Sequence, residues 1–320
     1  MVYKLSLKEK KLLNEISLNC RQPISQLAKR IGLSKQGTNY MLKKLIRDKV
    51  ILGFYPVVNI MNLDYYYTRF FVKFINMTDK SMESLLRWLD VNTNWYLKTD
   101  GVYDIVVSAW SRSFDDFKNK VNYFSDRFSD KIDDRRESLC IELVQFKDRY
   151  IYDDGTREKI ILRKTNSFEP DELDKKILRI LDKNSRIPTV KITEETGASP
   201  KKIISRIRRM ERENVLLGYR PQINISLLGY SFYKVFFSFN KFKKNEIGKF
   251  RAYLESKPET LYMQYEIGKP DLDVELILGV NQDFFQFMRD LIYKFPGFIK
   301  KYEFVLVEKE SSVSYLPVGF

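Results

Sequence analysis

Histidine is absent from this 320-residue chain. That removes the side chain most used for acid–base chemistry near neutral pH, the commonest metal ligand, and the general base of most serine and cysteine triads. Cysteine is scarce: Cys20 and Cys140 stand alone without CxxC spacing, so neither a disulfide framework nor a zinc site is expected. Long apolar runs are missing as well. The opening "MVYKLSLKEKKLL" alternates charges with single hydrophobes and carries no signal core, and no stretch approaches the run of about eighteen apolar residues that a membrane span needs. These absences point to a cytoplasmic protein with no metal, no cofactor and no membrane partner, and away from an enzyme.

What the chain has in excess is positive charge. Lys and Arg number 56 against 42 Asp and Glu, a formal net charge of +14. Such a balance favours polyanionic partners such as nucleic acid or an acidic membrane surface, although a lysine-rich composition also serves plain solubility. The length is enough for two ordinary cores, or for four small ones arranged in pairs.

The chain repeats itself. "VILGFYPVVNIMNLDYYYTRFFVKF" from Val50 and "VLLGYRPQINISLLGYSFYKVFFSF" from Val215 align without a gap at an offset of 215 − 50 = 165, and the same offset carries Arg21 onto Arg186, Gly32 onto Gly197 and Ser34 onto Ser199. This is a tandem duplication. Each copy divides into a helical part, residues 1–50 and 170–215, and a strand-rich part, residues 51–148 and 216–310. A charged linker over 149–169, with an edge strand at "KIIL", and a tail over 311–320 complete the chain.

In the second copy Leu173, Ile177, Ile180 and Leu181 form one apolar stripe at helical spacing, followed by a short helix "KITEETG" and a third helix in "ASPKKIISRIRRMERENVLLGY". Gly197 can end one helix in the left-handed conformation, Ser199 can cap the next, and Pro200 suits its first turn; Gly32 and Ser34 repeat this punctuation in the first copy. A turn this tight between two helices is a helix-turn-helix. Ile203, Ile207 and Met210, and their equivalents Thr38, Leu42 and Leu45, should face inward. Left outward are Lys201, Lys202, Ser205, Arg208 and Arg209 in the second copy, and Lys35, Gln36, Asn39, Tyr40, Lys43 and Lys44 in the first. Lys and Arg can hold phosphates or read guanine, and Gln and Asn suit adenine, so these are the candidate DNA-binding residues. A solvated amphipathic helix would present a similar face.

Each strand-rich part reads strand, helix, strand, strand, helix, strand, the order of a ferredoxin-like fold in which two helices cover one face of a four-stranded antiparallel sheet. The fold class is therefore α+β, two repeats of helix-turn-helix plus ferredoxin-like βαββαβ. The uncovered faces of the two aromatic-rich sheets should cover each other. Between the middle strands lie "GVYD" and "GKPD"; Gly101, Asp104, Gly268 and Asp271 can serve as turn residues or as the rim of an effector pocket.

These motifs resemble the Lrp/AsnC, or feast/famine, regulators. The resemblance runs through "LDKKILRILDKNSRIP", "TGASPKKIISRIRRMERENVLLGY" and the later "IG..D" turn in the second copy, and through "LAKRIGLS", "VILGFYP" and "DGVYD" in the first. It implies a winged helix-turn-helix, hinge strands at 50–59 and 215–224, an effector domain, double-stranded DNA as partner, an amino acid or other small-molecule effector, and self-association. One chain then resembles a covalent dimer. The first copy departs from the pattern at Met41, Ile46 and Gly37, and the second carries Glu194 and Glu195 where the first has Lys29 and Arg30. Two other functions fit the architecture: a regulatory or interaction module that no longer touches DNA, and a siroheme decarboxylase-like enzyme, the latter disfavoured by the missing histidine.

Overall fold

In the computed structural model, which describes residues 2–240, 244–268, 270–279 and 282–320, each helical part is a three-helix unit. The first comprises α1 (Leu7–Ile16), α2 (Ile24–Ile31) and α3 (Lys35–Arg47), the second α6 (Glu172–Lys183), α7 (Thr189–Thr196) and α8 (Pro200–Arg212). Local chemistry sets their ends. Capping boxes open α1 (Ser6 with Glu9) and α6 (Asp171 with Asp174), and the serines at 34 and 199 cap α3 and α8 by accepting from the amides of Gly37 and Lys202. Gly32 and Gly197 end α2 and α7 at φ of 67° and 71°, the left-handed region in which a Cβ is unfavourable.

The strand-rich parts follow the expected order. In the first copy β2 (Tyr66–Phe74), α4 (Asp79–Asn92), β3 (Trp95–Gly101), β4 (Ile105–Ser111), α5 (Phe114–Phe128) and β5 (Ile132–Phe146) alternate as in a ferredoxin-like unit. In the second the series is β8 (Ser231–Phe239), α9 (Lys244–Ser256), β9 (Thr260–Gly268), β10 (Leu272–Leu278), α10 (Phe284–Lys294) and β11 (Ile299–Glu310). The linker supplies β6 (Lys159–Leu162), which extends the sheet beside β5.

The two sheets do more than face each other. They join along both edges, β3 to β11 and β5 to β9, and because β5 also pairs with β2 the order β2-β4-β3-β11-β8-β10-β9-β5 closes on itself as an eight-stranded antiparallel barrel. Closure removes the exposed strand edges that each sheet would present alone. Outside the barrel, Phe70, Val72, Leu85, Leu89 and Phe124 form the layer under the first copy's helices, and Val235, Phe237, Phe250, Leu254 and Leu291 the layer under the second's. Inside, Phe71, Leu97, Phe236, Leu261 and Val305 share the space with five fully or nearly fully buried charged side chains.

Those charges interlock across the copies. Arg69 of β2 places NH1 2.5 Å from Glu266 Oε1 and 2.7 Å from Asp273 Oδ2, and Lys234 of β8, its counterpart at offset 165, lies 3.0 Å from Asp273 and 2.5 Å from Glu275. Burial opposes the charge on Arg69, but Glu266 and Asp273 outweigh it and push the guanidinium above its ordinary range. Burial, reinforced by Asp273, raises the Glu275 carboxyl against the pull of Lys234.

Below the barrel the hinge strands β1 (Ile51–Val58) and β7 (Leu216–Ile223) pair antiparallel, with Tyr55 opposite Arg220. Residues 55 and 220 are equivalent at offset 165, so the register is symmetric about this pair. Cross-copy bonds obey the same relation. Cys20 N donates to Tyr219 O at 2.7 Å as Ser185 N donates to Phe54 O at 2.9 Å, and Asn59 N donates to Val215 O at 2.8 Å as Asn224 N donates to Val50 O at 2.9 Å. Both three-helix units and the hinge strands contribute to one continuous apolar core. The segment after β11 crosses back over this junction, where Ser314 Oγ donates to Asp182 Oδ2 of α6 at 2.8 Å.

Arg69→Met should lower stability by about 3–5 kcal/mol in denaturant titration, because it leaves Glu266 and Asp273 buried without their cation; an unchanged midpoint would show that the barrel does not depend on this pairing. Burial raises the Asp182 carboxyl to about 6, against the opposing bonds from Ser314 and the Tyr315 amide. A carboxyl that holds its proton more tightly when folded weakens the fold as pH rises from the unfolded value through the folded one. Asp182→Asn should therefore stabilise the chain by on the order of 1–3 kcal/mol at about pH 8 and by little at about pH 4. Equal effects at both values would contradict the assignment.

Candidate nucleic-acid interface

Helices α3 and α8 bury Thr38, Leu42 and Leu45, and Ile203, Ile207 and Met210, as the spacing requires. Their remaining faces divide in two. Lys35, Gln36, Asn39, Tyr40 and Lys43 in the first copy, and Lys201, Lys202, Ser205 and Arg208 in the second, are exposed and lie on the outer face of their helices. Tyr40 is 65% exposed, unusual for an aromatic residue with no apolar duty.

Lys44 and Arg209 are placed differently. They are equivalent at offset 165 and both turn back onto the first helix of their own unit. Lys44 Nζ lies 2.8 Å from Glu9 Oε1 and 5.6 Å from the Tyr3 ring centroid; Arg209 NH1 lies 3.6 Å from Asp174 Oδ2 and its guanidinium 4.8 Å from the Phe168 ring centroid. Glu9 and Asp174, and Tyr3 and Phe168, are again equivalents at offset 165. An aromatic ring, a cation and a buried acid thus form one clamp, built twice, that fixes the third helix against the first. Burial disfavours the Glu9 carboxylate, but Lys44 and Ser6 outweigh it and hold its pKa below the ordinary value. In the second copy burial and the neighbouring Asp171 raise the Asp174 carboxyl even though Arg206 and Arg209 both approach it. Arg206 itself spans Asp171 at 2.6 Å and Asp174 at 3.2 Å. Lys44 and Arg209 therefore divide between this clamp and the outer face, their side chains remaining 36% and 44% exposed. The signal for the clamp was present in the sequence: acid and aromatic recur at the offset of the repeat.

The helices preceding the turn differ in sign. Lys29 and Arg30 are exposed on α2, with Arg30 bound to Glu15 at 3.0 Å, whereas α7 exposes Glu194 and Glu195, the former bound to Lys191 at 2.7 Å.

The winged helix-turn-helix DNA-binding family matches residues 5–51 and 170–216, the two three-helix units. The chain is 26% identical over 148 residues to the HTH-type transcriptional regulator FL11 of Pyrococcus horikoshii, spanning 46% of this chain and 96% of the relative. It is 42% identical over 62 residues to the leucine-responsive regulatory protein of Rhizobium meliloti, spanning 19% of this chain and 40% of the relative. In its two three-helix units and along one copy of the repeat the chain is thus similar to Lrp/AsnC-type regulators. Over its whole length it shares its fold with a solved structure, that of the siroheme decarboxylase NirDL, at a TM-score of 0.65, 10% identity, and coverage of 97% of this chain and 93% of that one.

The four turn residues set apart as an effector rim are engaged by the barrel seams. Gly101 has φ 138° and a Cβ there would stand 2.6 Å from Phe304 O on β11; Gly268 has φ 116° and faces Glu137 O on β5 at 3.2 Å. Asp104 accepts from Phe74 N and Asp271 from Phe239 N, at 2.7 and 2.8 Å. Each motif thus closes a strand turn and admits the other copy's edge strand.

Lys44→Met should lower the melting temperature of the chain, whereas Lys43→Met one position away should leave it unchanged. Equal melting curves for the two variants would remove the clamp.

Proposed function

We propose that this chain is a sequence-specific DNA-binding transcription regulator that acts as a covalent pseudo-dimer, with DNA contacted by Lys35, Gln36, Asn39, Tyr40 and Lys43 of α3 and by Lys201, Lys202, Ser205 and Arg208 of α8. The observation that carries the reading is the pair of cationic, capped third helices held by one symmetric hinge ribbon and one shared core. Two recognition elements fixed in this way suit a two-part site, in which spacing is read by the rigid body and bases by the exposed side chains. The unlike charges on α2 and α7 favour closer phosphate contact by the first copy and a contact confined to the third helix in the second, so the two half-sites should differ. Arg209 plays a divided part, clamping α6 while its exposed portion faces outward. Response to a small-molecule effector belongs to the same reading.

A second reading rests on the whole-chain likeness to NirDL, a siroheme decarboxylase. It requires tetrapyrrole chemistry without any histidine in the chain. Titration with iron uroporphyrin separates the readings, since a saturable shift of the Soret band would favour the enzyme.

Selection from a randomised duplex pool should enrich a two-part site, with affinity falling steeply as salt rises. Lys202→Glu with Arg208→Glu should lower affinity for that site by about tenfold or more and flatten the salt slope by about one for each phosphate left without its cation. Affinity unmoved by both reversals would assign the chain to an interaction module that does not use α8 on DNA.

A further inference from the structure

Beyond β11 the chain crosses the mouth of the barrel beneath the hinge ribbon, and there it buries Tyr315. The ring stacks between Tyr55 of β1 and Trp110 of β4, its centroid 6.1 Å from each and its plane 18° from parallel to both. Gln145 Nε2 donates to its hydroxyl. Against this slot lies a cavity of about 30 Å³, lined by Tyr67, Trp95, Gln264 and Glu310 among others, which has room for a single water. Two lining groups carry buried polar atoms without a hydrogen-bond partner: Trp110 Nε1, a donor, and Gln264 Oε1, an acceptor.

The opposite side of the junction is built from different chemistry. Arg220 takes the place of Tyr55, and, with the two-residue lengthening of the later strands (268 − 101 = 167), Asp148 takes the place of Tyr315. Arg220 NH2 binds Asp148 Oδ1 at 2.8 Å, so an ion pair stands where the first side has a ring stack. Asp148 leads directly on to the linker and β6, which is paired to β5. The Tyr315 segment bonds to β3 only through Ser311, whose amide donates to Tyr96 O at 3.0 Å, and among the described residues it joins no strand beyond that point. It is held by Ser314 to Asp182 at 2.8 Å, by the Phe320 carbonyl to Arg179 at 2.6 Å, and by Asn94 to the Leu316 carbonyl. Under residues 317–320 runs an open groove of about 400 Å³ that reaches Trp110 from outside.

We propose that this slot is a binding site for a planar, single-ring aromatic molecule bearing a hydroxyl group, and that Tyr315 occupies it as a built-in competitor. The two flanking rings select a flat π-system, Gln145 selects an oxygen on its edge, and the single ring of Tyr315 that fills the slot sets the size of ligand. A ligand arriving through the groove displaces Tyr315, and the neighbouring contacts of Ser314 with Asp182 loosen with it, so occupancy is reported to α6 of the second three-helix unit.

The test uses the full chain with p-cresol as probe, following heat of binding and hydrogen exchange of the amides in residues 312–320. One site should be found, and its saturation should speed exchange across that segment. Tyr315→Ala should bind p-cresol about tenfold more tightly or better, because the closed fraction no longer discounts affinity. In that variant p-cresol should outbind toluene, and adding Gln145→Leu should erase the difference. Should Tyr315→Ala fail to fold, Tyr315→Phe, which loses only the bond from Gln145, should still bind p-cresol more tightly than the unaltered chain. No binding to a folded variant, or binding to the unaltered chain with segment exchange unchanged, overturns the proposal. Neither readout involves DNA, so failure here is separable from failure of the regulator reading.

Discussion

Neutralisation of Arg69 is the constraint around which this structure is arranged. A guanidinium with no solvent exposure is tolerable only when acids meet it at hydrogen-bonding distance, and both of its acids come from the other copy of the repeat. The strands that carry Glu266 and Asp273, β9 and β10, must therefore lie in the same closed barrel as β2, where β5 joins β9 to β2. Antiparallel pairing at both seams achieves this and removes the free edges. Gly101 and Gly268 complete the arrangement, since each lets an edge strand of the other copy come closer than a Cβ would allow.

The hinge ribbon and the two three-helix units inherit this geometry. Because β1 and β7 pair about Tyr55 and Arg220, and because the units touch through Cys20, Ser185 and Arg21, the third helices are held by a common core rather than by separate tethers. The clamp of Tyr3, Lys44 and Glu9, repeated as Phe168, Arg209 and Asp174, keeps each third helix fixed on its own unit. Rigidity of this kind places the cost of ordering in folding and leaves little to be met on association.

Much of this was legible in the sequence. The repeat, the glycine and serine punctuation of the helix-turn-helix units, their inward stripes and the strand order all depend on local chemistry, which a single chain displays directly. Barrel closure was not legible, because whether an edge strand pairs with its own repeat or the other one is a long-range choice that leaves no periodic mark. Arg69 and Lys234 were hidden for a related reason: a lone cation in an aromatic strand reads as an outward position until the acids opposite are known. Lys44 and Arg209 were read as outward by helical spacing alone, which could not register that residues 3 and 9, and 168 and 174, would lie beneath them. Tyr315 sits in a segment with no pattern at all, and only the rings around it give it meaning.

The pair at the centre of the hinge ribbon has a consequence for descent. In an assembly of two identical chains, a residue on the axis must face itself, and an arginine at that place would be buried against another arginine. Joining the copies into one chain lifted that demand, so position 220 could become cationic while position 55 stayed aromatic. The barrel interior diverged under the same licence, with acids gathered in one copy and answered by a cation from the other. Each such change is harmless in the fused chain and harmful in a freed half, so the duplication works as a ratchet: separate genes for the two halves would have to yield obligate heterodimer partners, and neither half could return to pairing with itself.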